Sequence, residues 1–257
     1  MKSKKIKYGI IPAGGIGVRT GYLGKVLPKA LFPIYDRPVI HHVAKQMEKL
    51  GVKEVFILVN FQKEKIVDYF EQVKDVFKVK INFIEVKVLG GLSDAILLTE
   101  KYIGKNPFVI ILGDDCSVTP SFKNLLDVFN KNNADVVEGI VLENNKDLLK
   151  GTCCVKIDRK KRIVDIVEKP KYPKYLYRGC GVYIFNEKGF EYFKKTPISS
   201  LRGLREITDT VGLASKKGKG FGVPIDGKNV NINNYDDLLE ASMLMKELHN
   251  GLETKRS

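Results

Sequence analysis

The chain has 257 residues, 44% of them hydrophobic and 29% charged, with a formal net charge of +14. No apolar run approaches the roughly 18 residues that span a bilayer, and the basic start Met1-Lys2-Ser3-Lys4-Lys5 leads into no signal-peptide hydrophobic region, so a cytoplasmic protein without a membrane partner is expected. The positive charge would attract small anions, but the lysines are dispersed, with no arginine-rich block or aromatic stripe, and nucleic acid is not an expected partner.

In chain order, hydrophobic periodicity predicts strands over 8–13, 54–59, 79–85, 108–112, 135–142, 152–157, 163–168 and 181–185. Helices are predicted over 39–50, 63–73, 91–102, 122–130, 203–216 and 235–249. Pro38 suits the first turn of the helix predicted over 39–50. The first half alternates strand and helix regularly, which argues for a parallel sheet covered on both faces. The stretch from 135 to 185 is strand-rich and reads as mixed or antiparallel additions to the same sheet. The expectation is one domain over 1–257: an α/β protein with a doubly wound, mostly parallel, Rossmann-like mixed sheet. Cys116, Cys153, Cys154 and Cys180 form no C-x-x-C pair and read as reduced, buried thiols.

The first predicted strand runs into Ala13-Gly14-Gly15-Ile16-Gly17-Val18-Arg19. Glycines there let backbone amides curl around an anion, and Arg19 adds a permanent cation. Pro28-Lys29 supplies a second cation on a stiff turn. A dinucleotide fingerprint is excluded because its third glycine position is Thr20. No helix is expected to follow either, since Gly21, Gly24, Pro28 and Pro33 interrupt the stretch. A P-loop is excluded because Gly24-Lys25 is followed by Val26 and led by Arg19. Further on, Phe108-Val109-Ile110-Ile111-Leu112-Gly113-Asp114-Asp115 reads as a buried strand ending in two acids, suited to Mg²⁺ beside phosphates; capping of the next turn is the alternative use of such an Asp.

The strings Ala13-Gly14-Gly15-x-Gly17-x-Arg19, Pro28-Lys29-x-Leu31-x-Pro33-Ile34 and Arg37-Pro38-x-Ile40 resemble the signature of the sugar-1-phosphate nucleotidylyltransferases. Val18 and Thr20 depart from it, where that family usually has Thr and Leu. Leu112-Gly113-Asp114, Val167-Glu168-Lys169-Pro170, Gly179-x-Gly181-Val182-Tyr183-Ile184-Phe185 and Glu206-Ile207-Thr208-Asp209 extend the resemblance over nearly the whole chain.

The resemblance implies a fold of nucleotide-diphospho-sugar transferase type and transfer of a nucleoside monophosphate from CTP, UTP or dTTP to a phosphorylated small molecule, with release of pyrophosphate. It implies that Arg19 holds the β- and γ-phosphates, that Lys29 contacts the α-phosphate, and that Lys169 binds the acceptor phosphate. Ala13, Gly14, Gly15 and Gly17 would surround the nucleotide, with Gly90, Gly91 and Asp94 beside the base; Asp94 could equally cap the helix there. Glu168, Gly181 and Glu206 would meet the acceptor. Arg178, unexpected beside a neutral hexose, leaves open a non-sugar phosphate or a surface role. Asp114 would ligate Mg²⁺. The second ligand of that family is an Asp or Asn near the C-terminus, for which Asn231 and Asn233 both align. The missing C-terminal Asp leaves a catalytically impaired binding paralogue as an alternative. A homo-oligomeric state is left open.

Overall fold

The computed structural model describes residues 4–15, 17, 20–87, 90–216 and 218–253. The elements run β1 (Tyr8–Pro12), α1 (Gly21–Val26), β2 (Pro33–Ile34), β3 (Arg37–Pro38), α2 (Val39–Lys49), β4 (Glu54–Val59), α3 (Lys63–Gln72), β5 (Lys80–Glu85), α4 (Leu92–Leu97), α5 (Glu100–Ile103), β6 (Phe108–Ile111) and β7 (Asp115–Val118). They continue with α6 (Lys123–Asn132), β8 (Val136–Leu142), α7 (Lys146–Gly151), β9 (Cys153–Ile157), β10 (Ile163–Glu168), β11 (Tyr177–Phe185), α8 (Gly189–Lys195), α9 (Ile207–Ser215), β12 (Gly220–Pro224), β13 (Lys228–Asn231) and α10 (Tyr235–Glu253).

Nine strands form the central sheet, in the order β10-β9-β11-β6-β1-β4-β5, with β8 joined to β11 and β12 joined to β8. The half built first is parallel: β1 pairs with β4 and β6, and β4 with β5. β11 runs antiparallel to β6, β8 and β9, which makes the sheet mixed.

The parallel strands read as continuous apolar runs because both faces are covered. Ile11, Val55, Ile57, Val109 and Ile111 pack with the face of the sheet that carries α2, α3 and α6. Their neighbours Ile10, Phe56, Leu58, Phe108 and Ile110 pack on the other face, with α8 and α9. Each such side chain stabilises the fold by about 1.5–3 kcal/mol on burial. A one-residue slip would exchange the faces, so the register is strongly specified. A third apolar cluster joins Phe32, Ile34, Val230 and Ile232 to Leu238, Ala241 and Met245 of α10.

Several elements differ from the sequence expectation. A short helix, α1, does follow the glycine loop. The Thr20 amide and hydroxyl both donate to the Gly17 carbonyl, at 3.0 and 2.5 Å, and this turn starts the helix. Leu23 and Leu27 anchor it to the α10 cluster, which offsets the low propensity of its glycines. The helix expected over 91–102 is split into α4 and α5 at buried Thr99, whose hydroxyl donates to the Ile96 carbonyl at 2.7 Å. The helix expected from 203 begins at Ile207, since the Ser199 carbonyl and the Ser199 amide are bonded to Gly203 and Leu204 in a tight turn. No helix of the described residues is long and apolar enough to cross a membrane.

Candidate active site

The sheet order reverses at β1: the chain leaves it toward β4 on one side and returns on the other at β6. Loops leaving the carboxyl ends of such strands must diverge and open a crevice. Pro12 ends β1 and Ala13 to Gly15 follow it, Asn60 follows β4, and Leu112 to Asp114 follow β6; all line one cleft of about 290 Å³. Gly90, Gly91, Leu92 and Ala95 close its far side. The Gly113 amide donates to the Pro12 carbonyl at 2.9 Å, which ties the two loop bases together. Most of this wall is backbone and aliphatic carbon, which suits a flat ring and a phosphate chain.

Lys29 is delivered to this cleft by a single 3-10 turn, Lys29–Leu31, entered through extended Pro28. Its side chain is largely buried, with Nζ 2.5 Å from Asp114 Oδ2 and 3.4 Å from Asn233 Oδ1. Asn233 Nδ2 in turn donates to Asn231 Oδ1 at 2.6 Å. Both asparagines reach Asp114 because β13 pairs with β7, with Asn231 opposite Asp115, and because the Ile232 amide donates to the Asp114 carbonyl at 3.1 Å. Asn234 and Asp237 then cap α10 reciprocally, the Asp237 amide donating to Asn234 Oδ1 at 2.9 Å and the Asn234 amide to Asp237 Oδ2 at 3.1 Å.

Asp115 lies behind Asp114, nearly fully buried. Burial, and then the neighbouring Asp114 carboxyl, push it up to about 7. Gly181 at φ +69° makes room for it, since a Cβ on that residue would collide with Asp115 Oδ2. That close approach gives Gly181 a structural reason beside its place in the pocket wall.

A second cavity, of about 230 Å³, opens on the other side of Lys29. Glu168, Lys169, Gly181, Tyr183, Glu206, Thr208, Asn231 and Asn233 are among its lining. Glu168 accepts a hydrogen bond from Thr208 Oγ1 at 2.6 Å, and Lys169 Nζ lies 3.6 Å from Glu168 Oε1. Lys169 has φ +44°. That is a left-handed conformation disfavoured for a residue with a Cβ, and it is held by the Lys169 amide donating to the Thr152 carbonyl at 3.1 Å. Glu206 is paired with Arg202 at 2.5 Å. The two cavities share Lys29, Leu92, Leu112 and Asp114 as a common wall.

Of the residues singled out in the sequence, Ala13, Gly14, Gly15, Lys29, Gly90, Gly91 and Asp114 line the first cleft, and Lys29, Asp114, Glu168, Lys169, Gly181, Glu206, Asn231 and Asn233 line the second. Arg19 lies outside the described residues. Gly17 is not part of either wall; its carbonyl receives Thr20.

Two charged residues have ion-pair partners away from these walls. Of the two uses left open for Asp94, the structure shows the cap: its Oδ1 pairs with Arg205 Nη1 at 2.7 Å, and its Oδ2 accepts from the Gly91 amide at 3.2 Å. It caps α4 and fastens it to the 199–206 turn. The expectation for Arg178 is corrected: it neither lines the acceptor cavity nor lies on the surface. It is buried, with Nη1 and Nη2 each 2.6 Å from Asn229 oxygens and Nε 3.4 Å from Glu143 Oε2. Asn229 Nδ2 in turn donates to Ser117 Oγ at 3.0 Å, so Arg178 holds β13 against its neighbours.

Asn60 and Thr152 line the cavities and went unnoticed in the sequence, whereas Tyr183, in the Gly179–Phe185 string, lines the second cavity. Asn60 could have been suspected from its position one residue beyond β4, at a strand's carboxyl end; its Nδ2 donates to the Val86 carbonyl. The four cysteines are free and buried, and burial pushes Cys116 up to about 12 and Cys154 up to about 11.

The oxygen donors around Lys29 fit a magnesium ion. Magnesium takes oxygen ligands, keeps several waters, and is held by one or two carboxylates plus substrate phosphates rather than by a full protein cage. Asp114 offers the carboxylate, and Asn231 and Asn233 offer amide oxygens on the same cavity wall. Among the described residues no cluster of three His, Cys, Asp or Glu side chains is arranged to hold a metal.

Fold and site together are those of a nucleotidylyltransferase. The sequence profile of the family described as Nucleotidyl transferase matches residues 8–247, and the chain belongs to that family. A UTP–glucose-1-phosphate uridylyltransferase of Staphylococcus epidermidis is 27% identical over 260 residues, covering 91% of this chain and 88% of the relative. The bifunctional protein GlmU of Methanocaldococcus jannaschii is 32% identical over 234 residues, covering 91% of this chain and 53% of that longer protein. A solved UDP-glucose pyrophosphorylase, complexed with UDP-glucose, superposes with a TM-score of 0.84 at 24% identity, covering 94% of this chain and 99% of that one.

Proposed function

We propose that this enzyme transfers the nucleoside monophosphate of an NTP to a sugar 1-phosphate in the presence of Mg²⁺, with UTP and glucose 1-phosphate as the pair its relatives point to first. An oxygen of the acceptor phosphate bonds to the α-phosphorus, the bond from that phosphorus to the bridging oxygen of pyrophosphate breaks, and pyrophosphate leaves. The observation that carries this reading is the shared wall of the two cavities: Lys29 and Asp114 belong to both. A nucleotide in the glycine-walled cleft and a phosphate ester beside Lys169 would bring two anions together at that wall. Two phosphates approach only where positive charge is fixed between them. Lys29 would supply that charge at the α-phosphate, and Lys169 would hold the acceptor phosphate opposite it, with Arg19 toward the β- and γ-phosphates. Asp114, with Asn233 and Asn231, would hold the Mg²⁺, which when bound neutralises phosphate charge.

The test is direct. The protein is incubated with UTP, CTP or dTTP, glucose 1-phosphate and MgCl₂, and pyrophosphate is measured. Pyrophosphate should appear together with the sugar nucleotide, disappear on chelation of Mg²⁺, and be lost in Asp114→Ala. Release that is indifferent to Asp114 and to the metal would end this reading. Tight nucleotide binding with no product from any sugar phosphate would favour the binding paralogue.

A further inference from the structure

Among the described residues, three side chains in the wall of the glycine-lined cleft carry hydrogen-bonding groups: Lys29, Asp114 and Asn60. The first two stand together on the wall between the cavities, and Asn60 stands apart from them. It follows β4, Asp114 follows β6, and β1 lies between those strands in the sheet. Two strand spacings therefore separate the strand ends, about 10 Å, a gap that a ribose and its base bridge from a phosphate held at Lys29. Leu58 of β4 and Val86, just past β5, line the cleft beside Asn60 and give this end an aliphatic wall.

The Asn60 amide has one orientation. Its Nδ2 donates to the Val86 carbonyl. A carbonyl only accepts, so turning the amide over would set oxygen against oxygen. A Cβ on Gly14 would lie 3.3 Å from Asn60 Cβ, so the glycine loop runs directly against the asparagine and holds it in place. Oδ1 is the atom left for a ligand. Asn60 is only partly buried, and Oδ1 takes no hydrogen bond from a described residue and is open to solvent.

Resting on the nucleotidylyl-transfer reading above, we propose that Asn60 is a specificity-determining residue whose Oδ1 accepts the N3–H of a uracil or thymine base. A fixed acceptor calls for a donor on the ligand. Uracil and thymine present N3–H between two carbonyls at the ring edge. Cytosine presents a bare nitrogen at that place, and its lone pair would face the lone pairs of Oδ1; its amino group reaches Oδ1 only if the ring shifts along its edge. Guanine carries a similar N–H, but one ring further from the ribose. A ribose hydroxyl lies nearer the phosphates than the ring edge does, whereas Asn60 stands at the end of the cleft away from Lys29.

Calorimetric binding of UTP, CTP, GTP, 2′-deoxy-UTP and 3-methyl-UTP with Mg²⁺, without acceptor, tests the assignment on the wild type, Asn60→Ala and Asn60→Asp, with Tm recorded for each. The wild type should bind CTP, GTP and 3-methyl-UTP about tenfold more weakly than UTP or worse. CTP adds no bulk at N3 and so separates hydrogen bonding from crowding. Asn60→Ala should bind UTP about tenfold more weakly while binding CTP no worse than the wild type does, so that the preference disappears. Asn60→Asp keeps an acceptor oxygen and should keep UTP ahead of CTP, although its charge weakens every nucleotide. Removing the 2′-hydroxyl should cost the same in the wild type and in Asn60→Ala. CTP or GTP binding the wild type as tightly as UTP, equal losses for UTP and CTP in Asn60→Ala, loss of the preference in Asn60→Asp, or coupling of Asn60 to the 2′-hydroxyl each overturns the assignment. If the preference follows Asn60 but no sugar phosphate yields pyrophosphate, the transfer reading fails and the assignment stands. If UTP and glucose 1-phosphate turn over but CTP serves equally well, the assignment alone fails. No nucleotide binding by the wild type overturns both.

Discussion

Lys29 and Asp114 are separated by 85 residues in the chain, yet the lysine Nζ stands 2.5 Å from the aspartate Oδ2, on the wall between two cavities. The turn after Pro28 brings one partner and the carboxyl end of β6 brings the other, so the contact exists only when the crevice is assembled. Removing Lys29 should act on the chemistry more than on the fold. Lys29→Ala is expected to lower kcat by about a hundred- to a thousand-fold, the scale seen when a fixed donor to developing charge is lost. Asp114 keeps a third of its side chain exposed and can be solvated, so the loss of stability should be about 1 kcal/mol. Pyrophosphate release and urea unfolding measure the two; a large stability loss with kcat intact would contradict this.

Lys169 allows stability and binding to be separated at one position. Its φ of +44° is one that glycine adopts freely. Lys169→Gly should therefore be more stable than Lys169→Ala by about 1 kcal/mol, while both raise the acceptor KM alike through loss of the ammonium. Equal stability of the two variants would show that the left-handed conformation is not retained.

The Asp94–Arg205 pair links the base side of the crevice to the acceptor side. Arg205 Nη1 holds Asp94 at 2.7 Å, the Ser93 amide donates to the Arg205 carbonyl at 3.2 Å, and the next residue, Glu206, lines the acceptor cavity. The ion pair is about one-third exposed and should add less than about 1 kcal/mol to stability. Its effect should appear as position: Arg205→Ala and Asp94→Ala should each raise the nucleotide KM by about three- to tenfold, and the double variant should be no worse than either. Additive losses would show that the two side chains act separately.

The pH dependence of stability has a sign that Glu138 sets. Burial within the sheet pushes its carboxyl up to about 8 in the fold against an ordinary 4.5. Below pH 4.5 both states are protonated. Between 4.5 and 8 the unfolded chain gives up a proton that the native state retains, so the native state loses stability as pH rises through that window and no more above it. Asp115 acts in the same direction but is present in both proteins and cancels in the comparison with Glu138→Gln. The stability of Glu138→Gln relative to wild type should therefore increase between pH 5 and pH 8.5. A difference flat with pH would mean that Glu138 ionises normally.

Arg178 should behave as part of the framework. It is buried between Asn229 and Glu143, so Arg178→Met leaves Glu143 without its ion-pair partner and should lower stability by about 3 kcal/mol. Preference among acceptors should be unaltered, and a panel of sugar phosphates assayed below the lowered Tm checks this.

What could be read along the chain was whatever depends on neighbours in sequence. The apolar runs at Ile10-Ile11, 54–59 and 108–112 required strands covered on both faces, and the glycine loop with Pro28-Lys29, Leu112-Gly113-Asp114 and Glu168-Lys169-Pro170 marked the walls of the crevice. Folding was needed wherever a residue's role depends on a partner far away in sequence. α1 exists because Thr20 closes onto Gly17 and Leu23 finds α10; β7 and β13 are too short to declare themselves until they pair; Asp94 and Arg178 carry charges that suggested ligands, but Arg205 and Asn229 claim them first. A charged side chain's chemistry is set by which opposite charge or dipole reaches it at hydrogen-bond distance, and periodicity carries no information about that distance. For the same reason Glu138 reads as an ordinary acid in a strand until the sheet closes over it behind Gly179.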